Sequence, residues 1–136
     1  MVTISLTFDG YWREVYSNSI PNESGIYCVY TCVHNESKGT VSIQKLIYIG
    51  ESGKVRERIS GHERKTNCWK KKLNSGETLC YSFAPADSTN RKRAEAALIF
   101  KHKPTCNDEY VNDFPFEQTT VKSSGKTALL STSFTV

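Results

Sequence analysis

Two neighbouring segments, residues 26–34 and 40–49, constrain the fold of this chain more than any other feature. Both are rich in β-branched and aromatic residues, which favour strands. A short polar loop, 35–39, separates them, and Gly50 interrupts the second segment. Strand-like segments joined by such a loop form a hairpin, so the sequence predicts an antiparallel pair of strands here.

The rest of the chain divides into short strands and helices with no internal repeat, linker or low-complexity tract. We therefore predict a single domain over residues 1–136. Apolar and polar residues alternate over 2–8, which is typical of a half-buried strand. Further strands are predicted at 79–84 and in a C-terminal hairpin, 119–122 and 126–136, with its turn at 123–125. Helices are predicted over 11–16, 54–64, 67–73 and 89–103, with Ser52, Asp87 and Ser88 as capping residues and Pro104 as a stop.

Composition indicates a globular chain and excludes several classes. Hydrophobic residues make up 38% of the 136 residues and charged residues 24%, so a disordered or collagen-like chain is excluded. No apolar run reaches the ~20 residues needed to span a bilayer. The N-terminus lacks the basic segment that is typical of a signal peptide. We therefore expect a cytoplasmic protein that does not associate with membranes.

The five cysteines are odd in number and include no Cys-x-x-Cys pair. Without an export signal, reduced thiols are expected. A zinc site formed by Cys28, Cys32 and His34 is the alternative, but its spacing suits alternating strand positions better than a zinc knuckle.

Positive charge concentrates in the middle of the chain. Residues 54–103 hold 13 Lys or Arg and 5 Asp or Glu, whereas the remainder holds 5 and 9. A basic region on a nearly neutral chain is the pattern expected for polyanion binding. A solvated helical surface explains the charge equally well.

The predicted helix after Gly50 places Val55, Arg58, Ile59 and His62 on one face. Val55 and Ile59 should point towards the core, which puts Arg58 and His62 at the edge of a buried stripe. Such a pair can converge on one phosphate, with Arg as a permanently charged fork and His as a proton-exchanging group. The alternative is a packed helix in which both side chains have structural roles.

Glu95 is the only carboxylate in the predicted helix 89–103, and it shares a face with Ile99. A partly buried carboxylate needs a cation or hydrogen-bond donors, and one carboxylate is what Mg²⁺ often takes from a protein. The alternative is a surface ion pair with Arg91 or Lys92.

An antiparallel pairing of the two central strands brings Tyr27 and Tyr48 towards the same end of the sheet as Gly50. Gly25-Ile26-Tyr27 and Tyr48-Ile49-Gly50 resemble the name-giving motif of the GIY-YIG nuclease superfamily. The resemblance covers residues 25–107 in order. It includes Arg58 eight positions after the glycine, His62 one turn later, and a Glu95 helix that is followed by Pro104 and Asn107.

The resemblance implies an α+β fold, in which a small central three-stranded antiparallel sheet is flanked by helices. Residues 25–107 would form this core. The extension 1–24 would add an N-terminal strand, and the extension 108–136 would add a C-terminal β-hairpin. Neither extension is similar to a DNA-reading module.

The resemblance also implies a metal-dependent endonuclease acting on DNA. Tyr27 would be the general base, Tyr48 would position phosphate or water, Arg58 would clamp the phosphate, and His62 would assist proton transfer. Glu95 would hold one divalent ion, Mg²⁺ or Mn²⁺. Further contacts to substrate are expected from Gly50, Lys54, Lys70, Lys71, Arg91 and Asn107.

Two features depart from the family pattern: a long stretch between Tyr27 and Tyr48, and Glu51, whose charge would repel phosphate. A homodimer or a partner protein that supplies specificity is compatible with so short a chain. The alternative functions are a non-catalytic nucleic-acid-binding module and a protein-interaction domain on the same fold.

Overall fold

A mixed six-stranded sheet forms the frame of the structure, which is a computed structural model describing residues 1–136. Its spatial order is β3-β2-β4-β1-β5-β6. All neighbouring strands are antiparallel except β1 and β5, which run parallel. The strands are β1 (Val2–Arg13), β2 (Gly25–Asn35), β3 (Thr40–Ser52), β4 (Thr78–Pro85), β5 (Thr119–Gly125) and β6 (Ser133–Thr135).

Helices are few and short. Strands hold 40% of the residues and helices 24%. No helix combines the length and apolar character needed to cross a membrane. The α-helices are α1 (Val55–Ser60), α2 (Arg64–Asn67) and α3 (Arg91–His102), and 3₁₀ helices cover Glu14–Ser19 and Trp69–Lys72.

The predicted fold class, a small three-stranded sheet flanked by helices, is wrong. Strands β3, β2 and β4 are adjacent and antiparallel, but the sheet continues through β1 into β5 and β6. Strand β1 pairs with β4 on one side and with β5 on the other. The expected terminal extensions are therefore part of the same sheet. The physical reason is that a sheet ending at β4 would leave the N–H and C=O groups along that edge unpaired.

Several predicted elements differ in extent. The segment expected as a helix over 11–16 instead continues β1 to Arg13 and then forms a 3₁₀ helix. Helix α1 ends at Ser60, before the predicted residue 64, because Gly61 interrupts it. The turn predicted at 123–125 lies within β5, where it pairs with β1, and the hairpin connection is 126–132.

Apolar side chains pack on both faces of β2, whose first eight residues are all buried. One face contacts β1, α3 and the C-terminal strands, and the other contacts α1 and Trp69. Covered on both faces, β2 needs a continuous apolar run rather than an alternating one. The prediction that Val55 and Ile59 face the core is confirmed, since both are fully buried.

The expectation of five reduced thiols is wrong for two of them. Cys68 and Cys106 form a disulfide across 38 residues of sequence, whereas Cys28, Cys32 and Cys80 are free and buried. No group of three or more His, Cys, Asp or Glu side chains is placed to hold a metal ion, so the zinc alternative finds no support.

Candidate active site at the edge of the sheet

Gly50 and Tyr27 face each other directly across β3 and β2. A Cβ atom added to Gly50 would lie 2.3 Å from Cζ of Tyr27 and 2.4 Å from its hydroxyl oxygen. The ring of Tyr27 therefore lies over the backbone of Gly50. In this structure Gly50 provides the space for Tyr27, a role that the expected phosphate contact did not include.

Tyr27, Tyr48 and His62 form one aromatic cluster with Trp69. The ring centroids of Tyr48 and His62 are 5.0 Å apart, and those of Tyr27 and Tyr48 are 6.2 Å apart. Trp69 completes the cluster, with its centroid 4.5 Å from that of His62. The place of Trp69 in this cluster was not predicted, because no single helix joins His62 to Trp69 and helical spacing therefore does not relate the two residues.

His62 is buried and neutral at pH 7. Its Nδ1 accepts a hydrogen bond of 3.1 Å from the backbone N–H of Arg64, which assigns the ring proton to Nε2. No group accepts a hydrogen bond from Nε2. Burial, assisted by the charge of Arg58, lowers the pKa of His62 to about 4. His62 can therefore donate a hydrogen bond but does not supply positive charge.

Arg58 extends from α1 towards the same cluster. Its guanidinium donates two hydrogen bonds to Glu63, of 2.9 and 3.1 Å. The side chain is 38% exposed, so solvent reaches the guanidinium. The positive charge of Arg58 also acts to lower the pKa of Tyr27.

Tyr27 is nonetheless a protonated phenol in the ligand-free protein. Burial is the main cause that raises its pKa well above 10, and the neighbouring Tyr48, Glu95 and Glu51 raise it further. The opposing effect of Arg58 is smaller than that of burial. A base at this position therefore requires more positive charge than Arg58 provides.

Glu95 lies in a polar cavity of about 200 Å³, which it lines together with Tyr48, Asn107 and Glu109. Burial, with the negative charges of Glu51 and Glu109, raises the pKa of Glu95 to about 8. No ion pair in the structure includes Glu95. Arg91, the expected partner, pairs with Glu51 instead.

Glu95 could hold a divalent cation only as a single protein ligand, because no group of three or more His, Cys, Asp or Glu side chains is gathered here. Its side chain forms no ion pair, although Arg64 also lines the cavity, and a carboxylate is the kind of hard oxygen ligand that Mg²⁺ and Mn²⁺ prefer. A single carboxylate is sufficient where water and phosphate oxygens provide the other ligands. A cation there would counter the burial and the neighbouring negative charges that together raise the pKa of Glu95.

Arg91 and Glu51 compensate each other's charge. The guanidinium of Arg91 donates to Glu51 and, over 2.8 Å, to the hydroxyl of Ser24. Glu51 therefore does not present the unpaired negative charge expected of it. Arg91, predicted to contact substrate, is engaged within the protein.

Asn107 holds the segment after α3 against the edge strand β3. Its side-chain amide donates to the carbonyl of Ile49 over 3.0 Å and accepts from the N–H of Ile49 over 2.9 Å. The disulfide of Cys106 lies next to it in the chain. Asn107 thus orients the wall of the cavity, and both of its polar groups are occupied by backbone.

The predicted lysine contacts lie outside this cavity. Lys54 is exposed and lies 3.9 Å from Glu57, which is a loose ion pair. Lys70 and Lys71 are exposed on the 3₁₀ helix that begins at Trp69. The structure thus brings together Tyr27, Tyr48 and His62, and Tyr48 also lines the cavity of Glu95 and Asn107. Arg58 is linked to this cavity through Glu63, which lines it, and Lys54, Lys70 and Lys71 lie on the exposed surface.

Comparison with known proteins adds no relative. No family model, curated protein or solved structure matches the chain.

Proposed function

We propose that this protein is a metal-dependent endonuclease that hydrolyses DNA phosphodiester bonds, acting through Tyr27, Arg58 and Glu95. The observation that supports it most is the meeting of two tyrosines, a buried histidine and an unpaired carboxylate at one edge of the sheet. A domain that only binds nucleic acid has no need to bury a carboxylate without a partner.

In this proposal Arg58 binds the scissile phosphate through its two outer nitrogens and stabilises the charge that develops there. The Nε2–H group of His62, which has no acceptor in the ligand-free protein, assists proton transfer, and Tyr48 orients phosphate or water. Tyr27 first releases its own phenol proton to solvent when positive charge has lowered its pKa, and the resulting phenolate accepts the proton of the attacking water. A divalent ion held by Glu95, water and phosphate would stabilise the leaving 3′ oxygen.

The basic region between residues 54 and 103 supports a polyanionic substrate, and DNA is the proposed one. A cytoplasmic site of action remains a prediction from the sequence. The Cys68–Cys106 disulfide is more typical of an oxidising compartment.

A plasmid-nicking assay tests the activity. We expect the protein to nick supercoiled DNA with Mg²⁺ or Mn²⁺, and chelation to abolish cleavage. Glu95→Gln should abolish nicking, whereas Glu109→Gln, the same substitution at another acidic residue of the cavity, should retain it. Tyr27→Phe should lower the rate by about 10²–10⁴-fold, the usual loss with a general base.

The remaining outcomes separate the alternatives. Salt-dependent DNA binding without cleavage would identify a non-catalytic binding module. Neither binding nor cleavage would leave a protein-interaction domain. Cleavage that persists in the Glu95 variant would remove this residue from the metal site.

A further inference from the structure

Three arginines border the candidate active site, and each is bound to a carboxylate. Arg64 pairs with Asp108 and Arg91 with Glu51. Arg58 is the one expected to clamp phosphate, and both of its outer nitrogens donate to the two oxygens of Glu63. In the ligand-free protein its phosphate-binding fork is therefore fully occupied.

The Arg58–Glu63 pair has the geometry of a guanidinium bound to phosphate. A guanidinium binds a carboxylate or a phosphate by the same two parallel N–H···O bonds. One phosphodiester and Glu63 cannot both accept from the same two N–H groups. Binding of substrate in this end-on geometry therefore requires Glu63 to leave.

We infer that Glu63 occupies the phosphate position on Arg58 and that the nucleic-acid backbone displaces it. This inference rests on the proposed function, because it takes Arg58 as the phosphate clamp. Glu63 is thus a positioning residue: it keeps the guanidinium in a binding orientation and competes with substrate for it.

The surroundings of Glu63 make the displacement easy. Its side chain is 63% exposed and that of Arg58 is 38% exposed, and ion pairs exposed to this extent contribute little. Glu63 lies in the connection between α1 and α2, two residues after Gly61. Its carboxylate can therefore swing into solvent without disturbing either helix.

Binding measured without divalent ions tests this inference apart from cleavage. We expect Glu63→Gln to tighten the Kd for a fluorescein-labelled DNA duplex by about fivefold, which is the upper range for an exposed pair. The control is Glu57→Gln, since Glu57 is 64% exposed in α1, pairs loosely with Lys54 and has no bond to Arg58. This control should change the Kd less than about twofold.

The Arg58→Gln variant tests whether Glu63→Gln tightens DNA binding through Arg58. In that background, adding Glu63→Gln should no longer tighten binding, because the fork for which Glu63 competes is absent. An equal gain in DNA affinity with and without Arg58 would overturn the inference. The tighter binding would then result only from the loss of one negative charge near the DNA. Weaker binding by Glu63→Gln would also overturn it.

Titration with inorganic phosphate separates this inference from the proposed function. We expect the NMR signals of the Arg58 side chain to shift with saturation in the Glu63→Gln variant, and at higher phosphate concentration in the wild type. If this holds while no variant binds or cleaves DNA, the nuclease proposal fails and only the displacement of Glu63 by a phosphate group stands. If DNA is cleaved and the phosphate response of Arg58 is the same in both proteins, the displacement fails alone.

Discussion

Gly50 and Tyr27 depend on each other, since the tyrosine ring fills the space that any side chain at position 50 would need. We expect Gly50→Ala to destabilise the protein by about 1–3 kcal/mol, as overpacking does, and to abolish any activity that uses Tyr27. Urea denaturation with near-ultraviolet circular dichroism measures the change. Gly53→Ala is the control, because the nearest atom to its added Cβ is 3.8 Å away. Equal effects of the two substitutions would contradict the proposed contact.

Glu95 and His62 shift the stability of the protein with pH in opposite directions. Burial raises the pKa of Glu95 from 4.5 to about 8. Its contribution to the stability of the folded protein is therefore complete below pH 4.5 and is lost as the pH rises from 4.5 to 8. Burial lowers the pKa of His62 from 6.5 to about 4, so its contribution is lost as pH falls from 6.5 to 4. Between pH 4.5 and 6.5 the two effects cancel.

Glu95→Gln should therefore change the shape of the stability profile. For these two groups, the wild type should be level from pH 4.5 to 6.5 and then lose up to ~1.4 kcal/mol per pH unit towards pH 8. The variant should gain stability up to pH 6.5 and stay level above it. Denaturant midpoints across this range give both profiles. Parallel profiles would mean that Glu95 titrates normally, and Mg²⁺ should restore wild-type stability at pH 8 if Glu95 binds it.

Among the elements, the Cys68–Cys106 disulfide joins the chain before the Trp69 helix to the segment that lines the cavity. It closes a loop of 38 residues. A disulfide that closes a loop of this length lowers the conformational entropy of the unfolded chain, which stabilises the folded protein by about 4 kcal/mol. The stability measured for engineered disulfides is often smaller. The bond also lies next to Trp69 and Asn107, two residues that shape the site.

We expect Cys68→Ser with Cys106→Ser to lower stability by roughly 2–4 kcal/mol and to loosen the aromatic cluster. Thermal melts with and without a dithiol reductant measure this. The reductant should lower the Tm of the wild type and leave the double variant unchanged. Identical melts of the wild type under both conditions would show that these two thiols are free in solution.

Local patterns predicted the elements better than their arrangement. Strands β2, β3 and β4 followed from runs of β-branched and aromatic residues, and α3 from its flanking Asp87 and Pro104. The parallel pairing of β1 with β5 joins residues 117 positions apart, for which no local signal exists. The disulfide was missed for the same reason, because two cysteines separated by 38 residues carry no distinctive spacing.

In the candidate site, the residues were predicted better than their protonation states and ion-pair partners. The resemblance grouped Tyr27, Tyr48 and His62, and the structure places them in one cluster. The protonation states depend on burial, which a sequence does not give: His62 is neutral, and Glu95 is protonated at pH 7. The carboxylate partners of Arg58 and Arg91 also depend on the folded arrangement of the chain.

For the whole molecule, the surface charge decides how nucleic acid would approach. Lys70, Lys71 and Lys72 carry positive charge on the 3₁₀ helix beside the aromatic cluster, whereas Arg91 and Arg93 pair with carboxylates. The lysines are thus the freer of the two basic clusters to contact phosphate. Such contacts position a duplex without reading its bases.

Replacing Lys70, Lys71 and Lys72 with Ala should weaken binding to all DNA sequences alike. The slope of log K against log salt should flatten by about one to three units, because each phosphate contact contributes about −0.9. Anisotropy titrations on two unrelated duplexes at several salt concentrations measure both effects. An unchanged slope would assign the lysines to plain surface, and loss on one sequence only would indicate base recognition.

The parallel pairing of β1 with β5 has a consequence for folding kinetics. Strand β1 can pair with β4 early, but its other side stays open until residues 119–125 arrive from the far end of the chain. Contacts this distant in sequence slow folding, and an open strand edge is a template for aggregation. Any chain truncated before residue 119 would therefore keep the alternating strand β1 as an exposed edge, and we expect it to aggregate where the full-length protein refolds.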